Sequence, residues 1–433
     1  MLHSQRGRSV VALVAVSSFA GLGLAACGSS SGGSSSNASG PPSGTILVLT
    51  NRTDIVNTEL PAYAKEFNKI YPKVTVKFQA LTDYAGDVKT RMSTKNYGDV
   101  LLVPTDIPPT QLATFFEPLG TTAEMGKKYR FADAIANAGK VYGLATFGDA
   151  NGIVYNKKIF KQAGITSEPT TPGQLITDLK AVKAKTAATP YYTNYKDGWP
   201  LAWPAGTMGA VSGDVNANVK MASNPTPWAA GSEMNTLDNL LYTMVKDKLT
   251  EKDPTTTNWE TSKSLLATGK IAMMPLGSWA LPQMQLASKT AGTDPADVGF
   301  MPMPFQTNGK SNVPIGPDWT QGVSVHSSNK KAAMAWVTWF TDKSGYYKPN
   351  GGVPTLKSLP LPDSLTSLKG ANILQMVPSP KSTAVDKQSE IGITQPDPYR
   401  KLVDSARGAS GTTEQQLFDQ WNKAWGAAIK SVG

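Results

Sequence analysis

Apolar and polar positions along the chain switch between two periods, and the switches mark strands and helices. The run Thr45–Thr50 (TILVLT) is short, apolar and rich in β-formers, which predicts a strand. ELPAYAKEFNKIYP then puts Leu60, Tyr63, Ala64, Phe67, Ile70 and Tyr71 on one helical face, and Pro72 stops it. KVTVKFQA alternates Val74, Val76 and Phe78 against Thr75, Lys77 and Gln79, as a half-exposed strand does. DVLLVP, from Asp99, is continuously apolar like a buried parallel strand. Strands alternating with helices predict an α/β fold.

The pattern restarts near residue 150, where Ile153, Val154 and Tyr155 form a short strand. Thr171-Pro172-Gly173-Gln174 fits a capping box with proline at the first helical position, opening a helix that buries Leu175, Leu179 and Val182. The stretch Pro190 to Pro227 is rich in Trp, Tyr, Gly and Pro, which suits irregular segments lining a depression. KIAMMPLGSWAL predicts a strand that becomes a loop at Pro275, and VGFMPMPF a strand that exits at Pro302 and Pro304. Ser327 or Ser328 can cap a helix burying Ala333, Trp336, Val337 and Phe340. Near the C-terminus Thr413 and Gln416 form a capping box ahead of Leu417, Trp421, Trp425 and Ala428. This helical spacing assigns Trp336, Trp421 and Trp425 to the core.

The first 26 residues read as an export signal: Arg6 and Arg8, an apolar run from Val10 to Phe19, then small residues before Cys27. The run is too short for a membrane span. Leu24-Ala25-Ala26-Cys27 resembles the lipobox of bacterial lipoproteins, which implies cleavage before Cys27 and a diacylglycerol on its sulfur. Residues 27–44 then form a lipidated Cys and a flexible Ser/Gly tether, since they offer no apolar surface to bury.

A chain of 433 residues exceeds a typical single core, so two domains are expected. The net charge of +10, two units of it from the leader arginines, is scattered, and NKKIFK and SNKKAA are its densest patches. Neither makes a nucleic-acid pattern. No apolar stretch after Cys27 approaches membrane-spanning length. Cys27 is the one cysteine, which excludes a disulfide framework, and without His or Cys clusters no metal or other cofactor is expected. The two histidines are His3 and His326, the G-x-S-x-G match at Gly28–Gly32 falls in the Ser/Gly tract and not between a strand and a helix, and the chain lacks a Walker motif. A binding protein rather than an enzyme is expected. Paired carboxylates leave a membrane-anchored glycoside hydrolase as the rival reading.

The stretches AKEFNKIYPKVTVKF, GDVLLVPTD, GKVYGLATFGDANGIVYNKKIFKQAGI, TPGQLITDLKAVK, GKIAMMPLGSWAL, VGFMPMPF, GVSVHSSNKKAAMAWVTWF and GGVPTLKS, in this order, resemble the family 1 extracellular solute-binding proteins. These are carbohydrate-type receptors of ABC importers. The resemblance implies a two-lobed α/β fold, each lobe a sheet flanked by helices, with the ligand in a cleft that closes by hinge bending. Residues 45–150 plus 305–355 would make the first lobe, and 151–304 plus 356–433 the second. Implied partners are a carbohydrate, an ABC permease with a separate ATPase subunit, and the membrane through the lipid. The receptor itself would be a monomer.

A sugar presents hydroxyls along its edge and an apolar C–H face, so its site needs carboxylates, amides and flat rings. Asp54, Asp106 and Asp149 match acidic positions of maltose-binding members, and each follows a strand or lies in a crossover. Trp279 matches the family's stacking position. Trp199, Trp203 and Trp319 lie in Gly/Pro loops without helical periodicity and join it as candidate platforms, with Phe147 and Tyr192 as further walls. Asn51, Arg52 and Asn151 are companions. Arg52 would suit an acidic ligand and keeps a polyol or sugar acid in view. Thr50 stands where many sugar-binding members carry Trp, so the sugar itself is left open.

Overall fold

Two sheets, each buried on both faces, organise the chain, and the reason lies in the side-chain alternation of their strands. In Gly44–Thr50 the inward residues of one face, Ile46 and Val48, join one apolar cluster, while Leu49 joins another on the opposite face. Ile153 and Tyr155 likewise point to one cluster of the second sheet and Val154 to the other. The structure is a computed structural model that describes residues 40–53, 55–82, 84–104 and 107–433. Its Pro42–Gly433 portion forms one unit.

The first sheet runs in the order Val74–Ala80, Gly44–Thr50, Val100–Leu102, Thr320–Val323 and Leu144–Ala145. Its first three strands are parallel, and Thr320–Val323 pairs antiparallel with both neighbours. Helix Glu59–Asn68 covers one face with Leu60, Ala64 and Phe67. Helix Lys330–Lys343 joins it there, inserting Ala333, Trp336, Val337 and Phe340. The second sheet centres on Gly148–Asn156, which pairs antiparallel with Ile271–Gly277, Val298–Pro302 and Lys310–Pro317. Its covering helices include Pro172–Lys185, Glu233–Lys246 and Glu414–Val432.

The two sheets are joined by a pair of antiparallel segments. Ala145 pairs with Thr320 in the first sheet, and Gly148 pairs with Pro317 in the second. Between them the Thr146 N–H donates to the Trp319 carbonyl at 2.8 Å and the Asp318 N–H to the Phe147 carbonyl at 3.0 Å. Val353 bridges to Gly148 as a third crossing segment.

Several expectations change at this level. Residues 305–317, expected in the first lobe, lie with the second, because Lys310–Pro317 hydrogen-bonds to Gly148–Asn156 and to Asn372–Gln375. The strand at Pro275 continues to Gly277. Pro275 sits beyond Met273, the last residue paired on the other edge, so its missing N–H costs no ladder bond there. Ile70 falls past the end of its helix and is 48% exposed. Asn329, not a serine, precedes Lys330–Lys343, and the Ser327 hydroxyl instead binds Asp99. At Thr171 the hydroxyl caps the Gln174 N–H, but the Gln174 side chain reaches back to Thr170, so the box is half formed. The box at Thr413 and Gln416 is complete.

Candidate functional site

A cleft of about 1260 Å³ opens where the paired segments cross between the sheets. Thr50, Asn51 and Arg52 reach it from the exit of the first strand, Thr146, Phe147, Asp318 and Trp319 from the crossing itself. Trp279, Gln283 and Leu286 supply the wall from the second lobe, and Tyr346 and Asn350 the wall beside Arg52. Strand ends and crossovers gather these residues because open α/β sheets leave their crevice at the ends of the strands.

Trp279 stands in the turn between strand Ile271–Gly277 and helix Ala280–Ala291. A β-carbon on Gly277 would lie 2.5 Å from both Cδ1 and Nε1 of the indole, so the ring folds back over a position that only glycine allows. The ring is half-buried and packs on clusters of both lobes. Trp319 sets its ring edge-to-face against Tyr84 with centroids 5.4 Å apart, and its carbonyl accepts the Thr146 hydroxyl at 3.0 Å. Flat apolar faces thus come from each side of the crossing.

Asp318 and Asp149 stand together at the crossing. Burial pushes the Asp318 carboxyl up to about 6, against the opposing pull of the Trp319 N–H, the Arg52 charge and the Thr146 hydroxyl at 3.5 Å. Asp149 is held well above the usual carboxylate range, first by burial and then by the charge of Asp318, with the Trp279 backbone N–H opposing. Its Oδ1 is enclosed and accepts no hydrogen bond. Of the two, Asp318 lines the cleft and Asp149 lies behind the lining.

Arg52 donates to the Tyr346 hydroxyl at 2.7 Å and to Asn350 Oδ1 at 2.5 Å, with its guanidinium 6.0 Å from the Tyr346 ring centroid. Its charge also falls on Asp318. The arginine is therefore held in the wall by two neutral acceptors, with the Asp318 carboxyl as a charged group that it acts on.

Of the residues singled out from the sequence, Asn51, Arg52, Trp279, Trp319 and Phe147 line the cleft. Trp199 is exposed and touches Trp279, with centroids 5.8 Å apart. Asn151 pairs with Gly277 on the neighbouring strand without reaching the lining. Asp54, Asp106 and Cys27 lie outside the described residues. Trp203 is corrected: it is 6% exposed and packs in the core of the second lobe. Tyr192 is also core rather than wall. Asp318, Thr146, Gln321, Tyr346 and Asn350 escaped the sequence reading. Asp318 could have been found, because it directly precedes Trp319 in a Gly-Pro-Asp-Trp turn. His326 stacks edge-on against Tyr97 with centroids 5.6 Å apart and is absent from the cleft lining, so the cleft gains no histidine base from it.

Residues 54–347 match the family described as bacterial extracellular solute-binding protein. The ABC-transporter binding protein BlMnBP1 of Bifidobacterium animalis subsp. lactis, solved with mannobiose, is 32% identical with a TM-score of 0.80, covering 90% of this chain and 95% of its own. BlMnBP2 of the same organism, described as manno-oligosaccharide specific and solved with mannotriose, is 33% identical with a TM-score of 0.80 over the same shares. A curated relative, the multiple sugar-binding protein of Streptococcus mutans, is 25% identical over 325 residues, 71% of this chain and 74% of that protein. Two sheets joined by crossing strands around a cleft, together with a match over most of the length, mean that the chain belongs to the bacterial extracellular solute-binding proteins.

Proposed function

We propose that the protein captures a manno-oligosaccharide outside the cell as the receptor of an ABC importer and hands it over unreacted. One observation carries this: Trp279 and Trp319 bring indole rings to one cleft from the two sides of a crossing that also holds Asp318. Ring faces take the sugar's C–H face, and the carboxylate takes its hydroxyls. The solved relatives bind mannobiose and mannotriose in the same fold. The Asp318 carboxyl, which the Arg52 charge already acts on, supports a neutral sugar over a sugar acid. Closure of the lobes about the crossing segments would enclose the guest and present the closed form to the permease.

Export and anchoring belong to the same proposal. Cys27 would carry the lipid, and the Ser/Gly tether would hold the globular part beyond the membrane surface, with a reach of roughly 20–25 Å. Among the described residues no helix is long and apolar enough to cross a membrane. Replacing Cys27 with Ala should move the protein from the detergent phase to the aqueous phase in a partition assay.

The test is a calorimetric titration with mannobiose and mannotriose, using maltotriose and raffinose as comparison sugars, followed by chromatography of the recovered ligand. The expected result is saturable one-to-one binding of a manno-oligosaccharide with a Kd near 1 μM, about −8 kcal/mol, and intact sugar afterwards. Absence of binding contradicts the proposal, and shortened sugar would favour the hydrolase.

A further inference from the structure

Positive charge that reads as scattered along the chain is gathered by the fold at one end of the second lobe. Strand Gly148–Asn156 starts at the crossing and carries the chain about 26 Å away from it, at roughly 3.3 Å per residue. Strand Ile271–Gly277 runs antiparallel to it, and Thr189–Tyr191 runs parallel to that second strand, so both begin at the same far end. Helix Lys157–Gln162 opens there, and the turn before Ile271 packs on it, since a β-carbon on Gly269 would lie 3.0 Å from Ile159 Cδ1. Helix Pro172–Lys185 ends beside it, with the Lys185 ammonium donating to the Ala163 carbonyl at 3.0 Å. Helix Glu233–Lys246 ends next to that one: Lys180 pairs with the Asp247 carboxylate at 2.7 Å, and Lys183 donates to the Asp247 carbonyl at 3.5 Å. Residues 157–161, 180–185, 246–248 and 270 thus deliver their lysines to one pole.

Part of this charge has a structural task. A lysine near the end of a helix offsets its exposed carbonyls and the negative end of its dipole. Lys185 does so at Ala163, and Lys157 donates to the Ala296 carbonyl at 3.2 Å. Lys158, Lys161, Lys248 and Lys270 do neither: they are exposed, and among the described residues none of them forms an ion pair. The nearby carboxylates are otherwise engaged. Asp247 holds Lys180, and the half-buried Glu168 accepts the Tyr155 hydroxyl at 3.1 Å. Asp294 and Asp297 belong to the turn that receives Lys157, so they edge the pole without dividing it. Like charges held close without counter-charges repel one another, and a surface of opposite sign offsets that cost. The four free lysines stand on three separate elements, which suits an extended anionic surface rather than one small anion.

We infer that this pole rests on anionic phospholipid headgroups at the outer face of the cell membrane, as a second contact beside the lipid on Cys27. A basic patch strengthens the hold of a lipid anchor, and each lysine brought to an anionic bilayer adds to it. With the pole on the headgroups, the crossing and its cleft stand at the other end of strand Gly148–Asn156, away from the surface. The choice of the membrane rests on the export and anchoring proposed above; the sugar site plays no part in it.

Residues 42–433 form the unit that holds every strand and helix given above, and they lack Cys27, so their retention on vesicles reports the pole without the lipid. They are sedimented with vesicles of phosphatidylcholine alone or with about 30% phosphatidylglycerol, at about 50 and about 300 mM NaCl, with thermal melting as the check on folding. Partition onto the anionic vesicles should exceed that onto the neutral ones at least about tenfold at low salt, and high salt should remove most of the difference. Lys158→Gln, Lys161→Gln, Lys248→Gln and Lys270→Gln combined should lower it about tenfold, while the four Arg replacements together should keep it. Lys77→Gln, Lys95→Gln, Lys127→Gln and Lys140→Gln combined remove the same charge from the first lobe and should change it less than about twofold. No preference for anionic vesicles, equal loss in the two Gln variants, or loss in the Arg variant overturns the inference. Tighter binding to poly(glycerol phosphate) than to the vesicles assigns the pole to a wall polymer and overturns the membrane as its partner. The detergent partition of Cys27→Ala bears on the anchor alone, so failure of the anchor and failure of the pole are read separately.

Discussion

Asp149 and Asp318 meet at the crossing between the two lobes, near enough that the charge of one raises the proton affinity of the other. Both carboxyls are lifted by burial, and the enclosed Oδ1 of Asp149 has no donor to offset the cost. A protein that keeps such a pair gives up stability at a place where hydroxyls of a guest could repay it.

The first prediction follows from the Asp318 carboxyl near 6, against an ordinary value of 3.8. Below about pH 4 the group is protonated in folded and unfolded chains alike and contributes no penalty. Between about pH 4 and 6 the unfolded chain gives up a proton that the folded one keeps, so stability falls as pH rises through this window. Above it the full cost is present, at most roughly 3 kcal/mol. Asp318→Asn should therefore gain melting temperature relative to the wild type on going from pH 4 to pH 7, measured without sugar. A constant difference across that range would show that Asp318 ionises normally.

Asp149 should respond to its neighbour. In Asp318→Asn the carboxyl of Asp149 should titrate at lower pH than in the wild type, read from its carbon chemical shift by NMR. An unchanged midpoint would mean that burial alone sets it.

Gly277 tests the placement of the central ring. Gly277→Ala should displace the Trp279 indole, because the added methyl would meet it at 2.5 Å. Sugar affinity should fall at least tenfold, about 1.4 kcal/mol, with the fold kept by circular dichroism. Retained affinity would remove Trp279 from the site.

Two tryptophans drawn from similar Gly/Pro-rich surroundings should behave oppositely. Trp203→Ala should destabilise the chain by about 3–5 kcal/mol, as a cavity in the second-lobe core does, measured by urea unfolding. Trp279→Ala should cost mannotriose affinity, with a smaller loss of stability. The reverse pattern would exchange their roles.

Most of the fold was legible because burial is periodic. Val74, Val76 and Phe78 face inward more than Thr75 and Lys77, and Leu175, Leu179 and Val182 are fully buried on their helix. The lobe boundary was not legible, since an apolar run such as Val313–Ile315 reads the same whichever sheet receives its hydrogen bonds. Trp199 and Trp203 lie four residues apart in a run of single turns, one outside and one inside, and short turns carry no periodicity to separate them. Asp318, Tyr346 and Asn350 join the cleft only through tertiary folding, from segments far from Arg52 in sequence. Of the four loop tryptophans only Trp279 and Trp319 line the cleft, because a ring in a loop either stacks or packs and the sequence does not say which.

The central claim is tested most directly by a crystal structure of the chain grown with mannotriose. The account predicts a sugar ring against Trp279, a hydroxyl within hydrogen-bond distance of the Asp318 carboxylate, and Trp319 on the opposite wall. Mannotriose bound elsewhere, or a saturated crystal with no sugar between those tryptophans, would contradict it.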